Sequence, residues 1–379
     1  MHSVCLISDD FLPAATGVGT HVQQIATDLA ALGHRVSIIT TRRPGEPQED
    51  SWRGVTVHRC FTLKVFGFYQ ALPSQATIEQ ILRRHQVDIV HLHYLGILLK
   101  RSEATARRMG LPCVYTYHMT ADHLSQPALL KPLRPWFRRQ IEALCRRMDL
   151  VISPSLALAK TVRTGATGAA ARYISNPVAF GSSTGVVPAP RPAGFVVLFA
   201  GRLNPEKNLP LLLRAFEQLL QTQPDACLWV AGLGDQKPLL ESLARSLGIA
   251  AKVHFLGFIA RDELARHYLA CDVFVLPSTV EVQPLVAMEA MHFGRPVILT
   301  RAIVSAAELV DDGVNGYTVD PEDAGELATR LRTLAADPAL RQRMGEEARR
   351  RSSAFEPATV AAALTSAYDD VTGRGAGRG

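Results

Sequence analysis

The amino-acid sequence predicts an α/β protein made of two Rossmann-like domains facing across a cleft. Three observations carry this. Short apolar runs alternate with amphipathic stretches along the chain, the signature of parallel strands covered by helices. These runs end in polar residues, where an open sheet has its ligand crevice. The alternation pauses once, in the Gly-, Ser- and Pro-rich stretch GSSTGVVPAPRPAG, and then restarts.

In the first half, Val4–Ser8 reads as a strand, His21–Leu32 as a helix stopped by Gly33, and Arg35–Thr40 as the next strand. Asp88–His93, Cys113–Tyr117 and Leu150–Ser153 are further strands. After the pause, Phe195–Ala200, Cys227–Ala231, Val253–Phe255, Val273–Leu276 and Pro296–Leu299 read as strands. Leu209–Gln221 and Leu239–Leu247 read as helices between them. The expected divisions are a first domain over 1–180, a linker over 181–193, a second domain over 194–356 and a last helix over 357–372. Gly373–Gly379 reads as a frayed end. With 379 residues the chain is long enough for two cores.

Composition excludes several classes. The six cysteines are scattered with no C-x-x-C, so neither a zinc ribbon nor a disulfide framework is signalled, and reduced thiols in the cytoplasm are expected. The N-terminus lacks a basic segment before its short apolar run, which argues against a signal peptide. No run approaches the ~20 apolar residues that span a bilayer. Charge is uneven: residues 1–180 carry 21 Lys and Arg against 12 Asp and Glu, a net +9, while the remainder carries 20 against 23, a net −3. The basic half would suit an anionic partner such as a membrane surface, an acidic glycan or a phosphorylated acceptor, or is simply an Arg-rich surface. Leu133–Met148 sharpens that choice. Phe137, Ile141, Leu144 and Met148 form one apolar stripe with Arg134, Arg138, Arg139, Arg146 and Arg147 around it. Such a helix packs on a core, lies on an anionic membrane, or does both if the arginines alone face lipid. Nothing points to nucleic acid.

Two segments carry chemistry. Gly201–Asn208 (GRLNPEKN) follows a buried strand, so Arg202 and Lys207 would project at the sheet's carboxyl edge, where two cations suit a diphosphate. Pro277–Pro296 holds Glu281 just before a helix and Glu289 inside it, with Pro284 suited to the first helical turn. A helix N-terminus at such a crevice offers free N–H groups to an anion. A carboxylate before the helix suits sugar hydroxyls, and one deeper in it suits a ribose diol. Taken singly, each of these residues reads more readily as solvated surface than as part of a site.

Together the G-R-x-x-x-x-K element and the E-x7-E element, about 75 residues apart, resemble the retaining glycosyltransferases of GT-B fold, group 1. VAGLGD at Val230–Asp235, FLGFIARDELARHY at Phe255–Tyr268, CDVFVLPS at Cys271–Ser278 and EAMHFGRPVI at Glu289–Ile298 extend the resemblance. It implies that Arg202 and Lys207 bind the donor pyrophosphate, Glu281 the sugar hydroxyls and Glu289 the ribose. Gly257 and Phe258 would lie by the nucleobase, and Gly232, with Gly234, would approach the donor closely. After Glu281 the family commonly has Gly-Phe-Gly, and this chain has Val282-Gln283-Pro284. Pro284 removes one backbone donor, Gln283 adds a side-chain one, and Leu285 and Val286 keep their N–H groups.

In the first half, Pro13–His21 resembles the family's Gly-rich loop near the donor phosphate, with Gly17 matching and Thr16 standing where Gly is common. His118 resembles the family's active-site His against the donor sugar, and Asp122, four residues on, is a candidate to reach the acceptor. The resemblance also implies that the last helix crosses back to the first domain. It implies a UDP- or GDP-sugar donor and a hexose or N-acetylhexosamine moved, with retained configuration, to an acceptor hydroxyl; the basic first half points to a lipid-linked or surface-glycan acceptor. No D-x-D occurs, so no metal is expected to be required. A nucleotide-sugar epimerase of the same fold and a non-catalytic nucleotide-binding module are the rival readings. A dehydrogenase is poorly matched, because no G-x-G-x-x-G follows the first strand.

Overall fold

The computed structural model describes residues 1–13, 17–65, 68–93, 95–124, 128–165, 167–178 and 185–374. The chain forms two compact units, Met1–Ala179 with Phe355–Gly379, and Phe180–Ala354.

The first unit contains β1 (Ser3–Ile7), α1 (Gly17–Ala31), β2 (Arg35–Thr41), β3 (Glu49–Trp52), β4 (Val55–Cys60), β5 (Thr62–Val65), β6 (Phe68–Ala71), α2 (Gln75–Arg84), β7 (Ile89–Leu92), α3 (Ile97–Arg108), β8 (Cys113–Thr116), α4 (Ala121–Leu124), α5 (Arg134–Cys145), β9 (Leu150–Ser153), α6 (Leu156–Thr164) and β10 (Ala171–Tyr173). Its main sheet has the order β10-β9-β8-β7-β1-β2-β4-β3, parallel except for the edge strand β3, and β5 and β6 form a separate ribbon. Strand β1 is buried along its length, as a central strand covered on both faces must be.

Helix α1 buries Val22, Ile25, Ala26 and Leu29, a 3.6-residue stripe, against one face of the sheet. It begins four residues before the expected His21, because Gly17, Val18 and Gly19 are weak helix formers that hide its first turn. The opposite face carries α2, α3 and α5 over a second apolar cluster that includes Leu82, Leu98, Leu99, Ile141 and Leu144. All six cysteines are buried free thiols.

The second unit contains β11 (Val196–Ala200), α7 (Leu209–Leu220), β12 (Cys227–Ala231), α8 (Lys237–Ser246), β13 (Val253–Gly257), α9 (Arg261–Ala270), β14 (Val273–Leu276), α10 (Leu285–His292), β15 (Val297–Thr300), α11 (Ala306–Leu309), β16 (Gly316–Val319), α12 (Ala324–Ala336) and α13 (Pro338–Ser352). Its sheet is wholly parallel in the order β13-β12-β11-β14-β15-β16. Strands β11, β12 and β14 are buried throughout.

The final helix, α14 (Pro357–Val371), belongs to the first unit. Val360, Leu364, Ala367 and Tyr368 complete the apolar cluster under α1, beside Val4, Leu6 and Ile25. The Tyr368 hydroxyl meets His91 Nδ1 at 2.7 Å, inside the core. No helix among the described residues is long and apolar enough to cross a membrane.

Tyr368→Phe should therefore destabilise the first unit by about 1–3 kcal/mol, since it strips a buried ring nitrogen of its partner. Hydrogen exchange in β7 and β8 should report the loss, with β11 and β14 in the second unit unchanged.

Candidate active site

In the second unit the chain winds outward in opposite directions from β11 and β14. Loops at the carboxyl ends of two such neighbouring strands part and leave a crevice. Gly201–Asn208 leaves β11 and Pro277–Pro284 leaves β14. The two loops are tied directly. The Thr279 N–H donates to the Glu206 carbonyl at 2.8 Å. Lys207 Nζ pairs with the Glu281 carboxylate, both side chains being largely buried. Arg202 is exposed and forms no ion pair among the described residues.

The loop after β12 packs against the first of these. A Cβ on Gly232 would stand 1.8 Å from the Gly201 carbonyl oxygen, and one on Gly234 would stand 2.5 Å from that of Leu203. Gly232 also has φ +137°, which disfavours any side chain. Both glycines are thus demanded by a neighbouring loop's backbone, a reason the expected approach to a donor did not include. The Gly232 N–H donates to the Gly257 carbonyl at 2.7 Å, which brings in the end of β13. Gly257 has φ +71°, and the next residue, Phe258, is 70% exposed.

Helix α10 begins at Leu285, so Pro284 is its N-cap and not its first helical residue. The Pro284 carbonyl accepts from Ala287 and Met288. Leu285 and Val286, in the first turn, have no acceptor within the helix for their N–H groups. Gln283 is buried just before them.

Glu289, fifth in the helix, is buried. Its Oε2 accepts from the Tyr268 hydroxyl at 3.0 Å, and its Oε1 faces an Arg261 nitrogen at 3.4 Å. Burial pushes its carboxyl up to about 7 against the pull of Arg261. The two glutamates therefore have separate partners, Glu281 with Lys207 and Glu289 with Arg261 and Tyr268. Arg261 and Tyr268 were not singled out from the sequence. They stand two turns apart on α9, and that i, i+7 spacing on one helix face was the available signal.

In the first unit, His118 lies two residues past β8 and is half-buried. Its Nε2 meets His93 Nδ1 at 3.2 Å, and its ring lies edge-on to that of His21 at 4.6 Å between centroids. Burial holds the His118 imidazole well below its usual range, so it is neutral near pH 7. Gly17 opens α1, and a Cβ there would meet nothing within 4 Å among the described residues. Thr16, with the rest of residues 14–16, lies outside the described residues. Asp122 is paired with Arg134 at 2.6 Å. In α5 and the turn after it, Ile141, Leu144 and Met148 join the core with Phe137 against them. Arg134, Arg138, Arg139, Arg146 and Arg147 are exposed, as is Trp136.

Known proteins share both halves of this arrangement. Residues 188–351 match the family described as glycosyl transferases group 1, and residues 15–180 match glycosyltransferase family 4. The chain is 30% identical over 395 residues to the D-inositol 3-phosphate glycosyltransferase of Kineococcus radiotolerans, covering 93% of this chain and 90% of that one. Among solved structures, the sucrose-phosphate synthase of Thermosynechococcus elongatus superposes with a TM-score of 0.81 at 23% identity, covering 99% of this chain and 100% of that one. Anabaena HepE in complex with UDP-glucose gives 0.76 at 22%, covering 98% and 100%. The chain belongs to the group 1 glycosyltransferases of GT-B fold, and it is an enzyme of that family.

The buried Glu289 has a consequence for pH. Its folded-state value, about 7, exceeds the ordinary 4.5, so between those values the folded protein binds more protons than the unfolded chain. Stability from this group is fully present below the lower value and is lost as pH rises to the upper one. Glu289→Gln should flatten that part of the profile. Urea midpoints taken for both proteins across the window will show it, and parallel profiles would refute the assignment.

Proposed function

We propose that the enzyme moves a hexose or N-acetylhexosamine from a UDP- or GDP-sugar to a hydroxyl of a lipid-linked or surface-glycan acceptor, with retention of configuration and without a metal ion. The observation that carries this reading is the Lys207–Glu281 pair at the junction of β11 and β14, next to the first turn of α10.

In this reading the diphosphate takes Lys207 and the exposed Arg202 as counter-charges, with the Leu285 and Val286 N–H groups directed at its oxygens. Lys207, no longer shared, leaves Glu281 to accept from sugar hydroxyls, and Gln283 adds a polar group beside it. Glu289, already oriented by Tyr268 and Arg261, receives the ribose. Gly257 and Phe258 border the base. The acceptor oxygen bonds to the anomeric carbon as its bond to the phosphate oxygen breaks. The departing phosphate takes the acceptor proton on the same face. The protein's share of catalysis is then alignment and stabilisation of the leaving charge, with two cations and a helix N-terminus in the role a metal plays elsewhere.

HepE is described with UDP-glucose, which supports a nucleotide-sugar donor. The Kineococcus relative is named for inositol 3-phosphate, an anionic acceptor, which suits the net positive first half. The exposed arginines around α5, with Trp136 among them, suit an anionic membrane carrying a lipid-linked acceptor at the cytoplasmic face.

Lys207→Ala and Glu289→Ala should each weaken binding of UDP or GDP by roughly tenfold or more, as loss of a charge-assisted hydrogen bond does. Calorimetry will measure it, and wild-type affinity in both variants would sink the donor-site reading. Transfer should survive treatment with EDTA; loss of turnover that Mg2+ restores would overturn metal independence. Epimerised free donor in the absence of any acceptor would favour the rival epimerase. Reversing the charge at Arg138, Arg139, Arg146 and Arg147 should reduce sedimentation with phosphatidylglycerol vesicles, and unchanged sedimentation would remove the membrane from the proposal.

A further inference from the structure

Three carboxyl-edge segments of the first unit converge on a cluster of histidines, His118 among them. Strands β1, β7 and β8 are neighbours in the sheet. The chain after β1 enters α1 and places His21 in its second turn, β7 leads directly into His93, and His118 follows β8. One ring nitrogen from each of the three lies within 4.8 Å of the others.

Two features separate this trio from an ordinary packed cluster. His21 and His93 are 5% and 1% exposed, yet the Nε2 of His93 has no hydrogen-bond partner among the described residues, and the buried His21 ring has the Asn176 side chain beside it but no well-formed hydrogen bond. Buried polar atoms are rarely left so, because each costs the desolvation it has already suffered. The neighbouring His91 shows the contrast. Its Nδ1 meets the Tyr368 hydroxyl and its Nε2 meets the Thr116 hydroxyl, each at 2.7 Å, so its bonding is complete.

The second feature is spacing. His93 Nδ1 and His118 Nε2 are 3.2 Å apart. Two nitrogens bound to one tetrahedral zinc, each at about 2.0–2.1 Å, stand about 3.3 Å apart.

We propose that His21, His93 and His118 form a three-imidazole site for one divalent transition-metal cation of the zinc class. Imidazole ligates through a neutral ring nitrogen, and each of the three rings offers one such nitrogen close to the others. The donor set selects the ion. Imidazole nitrogen suits Zn2+, Co2+ and Ni2+, whereas Mg2+ and Ca2+ require oxygen. The half-buried His118 leaves the side of the trio from which a fourth ligand, water or a substrate oxygen, enters. The three histidines belong to the first unit, and the cation is not assigned a step in sugar transfer.

The full chain, stripped of metal with chelator and dialysed, should bind Co2+ at one equivalent and develop the visible ligand-field bands of four-coordinate cobalt. Zn2+ should displace the cobalt and abolish the bands, and excess Mg2+ should not. X-ray absorption of the zinc-loaded protein should show three imidazole ligands near the Zn–N distance above. His21→Gln and His93→Gln should each abolish stoichiometric binding, while His254→Gln, an exposed position in the second unit, should leave it intact. Absence of stoichiometric cobalt binding, fewer than three imidazoles in the absorption spectrum, or undiminished binding in the two trio variants would each overturn the proposal. None of these measurements needs a nucleotide sugar, so they stand or fall apart from the donor-site reading.

Discussion

The candidate site of the second unit depends on how closely three loop backbones approach at the carboxyl edge of its sheet. Gly232 lies so near the Gly201 carbonyl that a single carbon atom would not fit between them, and Gly234 is similarly placed against Leu203. This contact fixes the path of Gly201–Asn208. The path fixes Lys207, and Lys207 meets Glu281 on the loop from the adjacent strand. A hydrogen bond from Gly232 then carries the same constraint to Gly257. The positions of the charged side chains are set first by main-chain packing and only then by their own attraction.

The site's electrostatics divide in two. Lys207 and Glu281 are partly open and satisfy one another, an arrangement that an incoming anion can exchange. Glu289 sits in a drier place. Its carboxylate is oriented by a phenol and a guanidinium, and burial acts on it more strongly than Arg261 does. A group held this way is preorganised, because its hydrogen bonds are formed before any ligand arrives.

Much of this was legible in the sequence. Apolar runs marked the buried strands, and the cations and carboxylates at their ends marked the loops, because a parallel sheet exposes polar chemistry only at its edge. What escaped has physical reasons. Strands β3 to β6 lie among Pro, Gly and charged residues, and β3, an antiparallel edge strand, is mostly exposed, so no apolar run announces it. Glu289's partners Tyr268 and Arg261 come from a different helix, where their i, i+7 spacing shows a shared face but not which residue it meets. The histidine trio escaped for the same reason, since its members come from three segments that only sheet order brings together. Gly232 was noticed, but for a ligand's sake; its neighbouring backbone is reason enough for a glycine.

The last helix returns to the first unit, and this orders events during synthesis. The second unit is continuous from 180 to 354, so all of its strands leave the ribosome in one uninterrupted segment. The first unit begins earlier and finishes later. Until α14 emerges, the apolar surface under α1 lacks Val360, Leu364 and Tyr368, and His91 lacks a bonding partner. The domain translated first therefore stays incomplete until the whole of the second has been translated, a departure from the usual order in which domains of a nascent chain mature one after another.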